Sequence, residues 1–151
     1  MRRRALLERL VVIGASLPGF ALAAASKAEV QVFKSRGCSC CAVWVGHLRE
    51  AGFNVAVLDV YSASVERRRL GMPDRFGSCH TALVDGYVVE GHVPAADIKR
   101  LLATRPKALG LSVPGMPASA PGMAVPGWSQ PYQVLLIDLA GQASTFASYP
   151  G

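Results

Sequence analysis

Three of the four cysteines fall within four positions, in Cys38-Ser39-Cys40-Cys41, and the fourth, Cys79, is followed directly by His80. Thiolates crowded in this way suit two kinds of chemistry, dithiol redox exchange and capture of soft metal ions. Cys38 and Cys41 have C-x-x-C spacing, which taken alone favours a redox pair or a simple disulfide. Cys40 taken alone reads as a small buried hydrophobe, and so does Cys79. His92 and His80 are the imidazoles that a metal site could add. His47 shares a helix face with Cys40, but seven helical residues separate the two by about 10 Å, so it reads as a surface or capping histidine.

The elements around these residues decide which can meet. Glu29-Val-Gln-Val-Phe-Lys34 alternates polar and apolar residues and predicts a first strand. The cysteine loop follows, and then a helix from about Cys41 to Ala51, with Trp44, Leu48 and Ala51 on its buried stripe and Gly52 ending it. The run from Phe53 to Val60 is nearly all apolar, as expected of a buried parallel strand. Ser62 is placed to cap a second helix that runs to Leu70, before Gly71 and Pro73. Arg67, Arg68 and Arg69 on that helix read as a solvated face.

Asp85-Gly86 is a two-residue turn signal of type I′. It sets Val84 opposite Tyr87, Thr81 opposite Glu90 and Cys79 opposite His92. Opposed side chains share a sheet face with Cβ atoms about 5 Å apart, so Cys79 and His92 are within reach of one ion. The same register sends His80 to the other face unless the strand end twists. Glu90 is the one carboxylate near the group and reads as a charge on the hairpin face.

Pro94 opens a third helix with Ile98, Leu101 and Leu102 apolar, and Pro106 stops it. The predicted order is β-α-β-α-β-β-α, that of a thioredoxin-like α/β fold. In this order the loop with Cys38, Cys40 and Cys41 meets the loop with Cys79, and His92 lies beside them. Residues 107–131 are rich in proline and glycine with Met116 and Met123, and read as a loop packed over one edge. Residues 132–149 read as a terminal β-hairpin. Both methionines suit gap filling, and their thioethers also suit Cu(I) as outer or transfer ligands.

Residues 1–25 have the pattern of a signal peptide, with Arg2, Arg3 and Arg4 ahead of an apolar run and Ala21-Leu22-Ala23 at the cleavage site. Arg3-Arg4-Ala5-Leu6-Leu7 also resembles a twin-arginine export signal. Removing this leader takes away four arginines and one glutamate, so the net charge of +6 falls to +3. That balance gives no case for nucleic acid, and the mature chain is expected to leave the membrane. Residues 26–151 are expected to form one domain, long enough to build a core without disulfides. Export into the periplasm puts the thiols in an oxidising compartment, where a local redox pair or a metal must protect them.

The motifs Phe33-Lys34-Ser35, Cys38-Ser39-Cys40-Cys41, Trp44, His47-Leu48, Ser78-Cys79-His80-Thr81-Ala82, Gly91-His92-Val93-Pro94 and Val113-Pro114-Gly115-Met116-Pro117 resemble those of a bacterial family. Its members are small exported metal-binding proteins, first catalogued as a domain of unknown function and often met among copper-resistance proteins. The resemblance implies a thioredoxin-like fold, a copper link, and a metal site at Cys38, Cys40, Cys41, Cys79, His80 and His92. Ser39 departs from it, since a glycine is expected there. The reading is therefore a non-enzymatic periplasmic protein that buffers or transfers Cu(I), with Zn(II) second, and exchanges copper with a donor or acceptor protein. The alternative is a thiol-disulfide oxidoreductase working through Cys38 and Cys41.

Overall fold

A computed structural model describes residues 28–151. The expected leader, residues 1–25, lies outside them. The elements are β1 (Glu29–Ser35), α1 (Ser39–Glu50), β2 (Asn54–Val60), α2 (Ala63–Arg69), β3 (His80–Val84), β4 (Tyr87–Glu90), α3 (Ala95–Thr104), β5 (Gly110–Ser112), β6 (Tyr132–Ile137) and β7 (Ala143–Tyr149). Their first seven members follow the β-α-β-α-β-β-α order expected of the sequence. All strands join one seven-stranded sheet in the order β2-β1-β3-β4-β5-β6-β7. β1 runs parallel to β2 and antiparallel to β3, so the sheet is mixed. Among the described residues no helix is long and apolar enough to cross a membrane.

Side-chain alternation along the strands separates two cores. On one face Trp44, Val45 and Leu48 of α1 and Ile98 and Leu101 of α3 pack on Val30, Val32, Ala82, Val84, Val89 and Leu111. On the other, Met72 and Phe76 cover Val88 and Ile137. The Trp44 indole is fully buried and donates from Nε1 to the Val93 carbonyl at 2.9 Å, which ties α1 to the segment after β4. A buried indole N–H without such an acceptor would be costly.

The hairpin matches its predicted register. Asp85 and Gly86 have φ of 47° and 86°, as a type I′ turn requires, and Thr81 pairs with Glu90 and Val84 with Tyr87.

Four expectations are corrected. Among the described residues β2 is an edge strand, and Val55 is the only buried residue between Asn54 and Val60, so its apolar run does not mark a central position. Residues 107–131 are not all loop, because Gly110–Ser112 forms β5 between β4 and β6. Three residues with a glycine give no periodicity to read, and the strand exists because it has a hydrogen-bonded neighbour on each side. Arg67 is buried rather than solvated, while Arg68 and Arg69 are largely exposed. Glu90 is fully buried and does not sit on a solvent face.

Candidate metal centre

β1 runs out at Ser35, and Gly37, at φ 75°, turns the chain so that Cys38 becomes the N-cap of α1. The helix starts at Ser39, earlier than the sequence suggested, which puts Cys40 and Cys41 in its first turn. No acidic residue or capping side chain occupies that turn. The partial positive charge of a helix N-terminus therefore lies at these two residues.

Cys38 and Cys41 are joined as a disulfide, with their Cα atoms 5.4 Å apart, and Cys40 and Cys79 are free thiols. The Cys79 sulfur lies 3.5 Å from that of Cys41 and 3.9 Å from that of Cys40, and Cys40 and Cys38 are 3.6 Å apart through their sulfurs. The two loops, nearly forty residues apart in sequence, therefore bring all four sulfurs together. Burial, followed by the neighbouring Cys40, pushes the Cys79 thiol up to about 12. At neutral pH it is protonated, and a metal bound there would have to displace the proton.

Cys79 precedes the first residue of β3, and the turn at Gly91, with φ 73°, ends the alternation of β4. Cys79 and His92 thus meet beyond the ladder and not as a ladder pair. The His92 Nε2 is 3.1 Å from the Cys79 sulfur. Its Nδ1 is 2.7 Å from the Pro121 carbonyl oxygen, which can only accept, so Nδ1 carries the proton and Nε2 keeps its lone pair. Burial holds the His92 imidazole below its ordinary range.

His80 was expected on the opposite face unless the strand end twisted, and its Nδ1 in fact reaches to 3.4 Å from the Cys79 sulfur. Its ring lies against Trp44, with centroids 4.3 Å apart, and meets His92 edge-on at 5.0 Å. The side chain is fully buried, and its Nε2 is a buried polar atom without a hydrogen-bond partner. Burial and then the His92 charge hold its pKa down to about 3, so it stays neutral.

The donors form two overlapping groups, each within 4.8 Å: Cys38, Cys40, Cys41 and Cys79, and Cys79, His80 and His92. Cys79 belongs to both. Four sulfurs and two neutral imidazoles form a soft donor set, to which His80 presents Nδ1, while the unpartnered atom of its ring is Nε2. Reduction of the Cys38–Cys41 bond would free the remaining two sulfurs.

Other residues fall elsewhere. His47 is a capping histidine, as expected, since its Nε2 accepts from the Ala95 amide at the start of α3 at 3.0 Å. Met116 is exposed, and Met123 is half-buried against the main core. Sequence reasoning missed the roles of Pro121, Gly122, Arg67 and Ser78. A Cβ at Gly122 would lie 2.9 Å from the Trp44 amide nitrogen, 3.0 Å from the Cys40 carbonyl and 3.3 Å from His92 Nδ1. The proline-rich segment is therefore pressed directly over the site. A polar residue closing the apolar run Tyr87-Val88-Val89-Glu90 was the available signal for the Arg67 pairing.

The family described as "Protein of unknown function, DUF411" matches residues 76–123, a span that holds Cys79, His80, His92 and Pro121. Two solved structures titled "Copper resistance protein copG", Form 2 and Form 1, are similar at 42% and 43% identity with TM-scores of 0.79 and 0.78. Each match covers 83% of this chain and 100% of the other. A comparison with curated proteins returns no match.

Proposed function

This chain belongs to the copper-resistance family marked by the DUF411 domain, and from that premise we propose that it holds Cu(I) in the periplasm as a buffer or carrier. The cysteine and histidine cluster and the copper-resistance relatives support copper-related metal binding. The finer reading assigns the ligands to Cys38, Cys40, Cys41, Cys79, His80 and His92.

One observation carries it: the Cys79 sulfur lies within 4 Å of the sulfurs of Cys40 and Cys41 and of a nitrogen of both His80 and His92. Soft thiolates favour Cu(I) at low coordination number, while an S₃N set closed around one ion would suit Zn(II), which ranks second. Half-buried cysteines at Cys38, Cys40 and Cys79 suit an ion that is handed to a partner protein. Neither export by the leader nor the identity of that partner enters the donor geometry. Purifying the reduced protein anaerobically from the periplasm and measuring bound metal per chain tests the reading. Bound copper in excess of zinc is expected, and a metal-free, fully oxidised protein would contradict it.

A second reading is favoured by a specific bond. Cys38 and Cys41, at C-x-x-C spacing, are joined as a disulfide, and an incoming substrate thiolate that attacks this bond would leave a mixed disulfide and one free thiolate. Thiol-disulfide exchange through Cys38 and Cys41 that survives Cys79→Ser would favour this oxidoreductase over the carrier.

A further inference from the structure

Gly77, Ser78 and Cys79 lie beyond the end of the sheet ladder, since the last pairing of β3 joins His80 to Lys34. Something other than strand pairing must hold Cys79 in place. Directly beneath, on the face opposite Trp44, is a buried carboxylate. Glu90 Oε1 accepts from the Ser78 backbone amide at 2.6 Å and from Arg67 Nη1 at 3.3 Å, and its Oε2 accepts from the Thr81 hydroxyl at 2.6 Å. Arg67 is buried as well and is fixed on its other side by Asp74, at 2.9 Å.

The guanidinium also fills the space where a side chain at residue 77 would sit. A Cβ on Gly77 would lie 2.7 Å from Arg67 Cζ and 2.8 Å from Nη1. On the outer side, the Gly115 amide donates to the Gly77 carbonyl at 3.0 Å and the Ser78 hydroxyl donates to the Gly115 carbonyl at 2.5 Å. The residues before Cys79 are thus clamped from two directions. Apolar residues of like volume commonly serve stability as well as a buried ion pair does, so stability gives weak reason for one here. Its acceptor atom lands on the amide that leads into Cys79.

We infer that Glu90, held by Arg67, is a positioning residue that fixes the Ser78 amide and so sets the Cys79 sulfur over the cysteines of α1. Neither Glu90 nor Arg67 touches a proposed ligand, and Glu90 acts on Cys79 through the Ser78 amide, while the Ser78 hydroxyl itself reaches the Cys79 sulfur at 3.9 Å. The relay rests on the reading of Cys79 as a metal ligand.

The test compares the reduced full chain with Arg67→Met/Glu90→Leu, which removes both charges together, and with Gly77→Ala, whose methyl displaces the guanidinium. Gly77 has φ −67°, a conformation open to alanine, although the Cβ would also come within 3.0 Å of the Asp74 carbonyl, so Glu90→Gln serves where neither of the other variants folds. Cu(I) affinity is read by competition with a chromogenic chelator, thermal midpoint by circular dichroism, and Cys79 alkylation by mass spectrometry in metal-free protein. Expected are a loss of about 10- to 100-fold in affinity, the range for residues that orient ligands, and faster Cys79 alkylation, with the fold retained. Glu90→Gln keeps an acceptor oxygen and is expected to lose less. Affinity and alkylation equal to wild type in every variant that folds would overturn the relay. If wild type and Cys79→Ser take up Cu(I) equally, the ligand reading falls, and the alkylation rates alone then decide the relay.

Discussion

The ring of His92 spans the gap between the Pro121 carbonyl, 2.7 Å from Nδ1, and the Cys79 sulfur, 3.1 Å from Nε2. One hydrogen bond chooses the tautomer, and that choice leaves the other nitrogen facing the thiol. Backbone oxygens commonly orient ligating histidines in this way. On the proposed reading, His92→Ala lowers Cu(I) affinity by about 10-fold or more, while His92→Gln, which lacks a lone pair placed like that of Nε2, rescues little. Chelator competition measures both.

The loop that carries Pro121 depends on Gly122, where a methyl group would strike the Trp44 amide and the Cys40 carbonyl, and where φ is 85°. Gly122→Ala is expected to destabilise the fold by about 1–3 kcal/mol through overpacking and to weaken metal uptake together with it. Urea unfolding gives the first effect and Cu(I) competition the second.

His47 separates the site from its surroundings. Its Nε2 accepts from the buried Ala95 amide, and burial keeps the imidazole below its ordinary pKa and so able to accept. His47→Leu leaves that amide unsatisfied and is expected to cost about 1–2 kcal/mol. Copper stoichiometry should not change, since the residue lies outside both donor groups.

The buried histidines set a pH dependence with a defined sign. His80 titrates at about 3 in the folded chain, against an ordinary value near 6.5 once unfolded. Between those values the unfolded chain binds a proton that the folded chain refuses. Stability contributed by His80 is therefore intact above about pH 6.5 and is lost progressively as pH falls toward 3. His92 and His47, both held down by burial, act in the same direction. Urea unfolding at pH 4.5 and 7 should show the difference, and His80→Asn should shrink it.

Much of this site is legible in the sequence because local rules reach it. Asp85-Gly86 alone fixes the hairpin register, and Thr81 does pair with Glu90 as the turn demands. That register put Cys79 near His92 for an incomplete reason: the ladder stops short of both, and the turn at Gly91 together with Pro121 completes the approach. His80 does keep to the face opposite Thr81, against Trp44 with Ala82 and Val84, and the alternation fails instead at Cys79 and His92, which lie past the ladder and turn toward His80. Arg67 looked like one of three solvated arginines, since its partner Glu90 lies on a distant strand and no spacing rule links a helix residue to it. β2 looked buried because a parallel strand with an apolar run usually is, whereas among the described residues nothing pairs with its outer edge. β5 is held in place by neighbours on both sides, and its own three residues carry no signal.

The central claim is that Cys79 joins the α1 cysteines around Cu(I). Anaerobic titration of the reduced chain with Cu(I), against a competing chelator, measures it directly when repeated on Cys79→Ser. Saturable high-affinity binding by the wild type that falls by about 100-fold or more in the variant is the predicted result. Equal affinity in the two proteins would contradict the account.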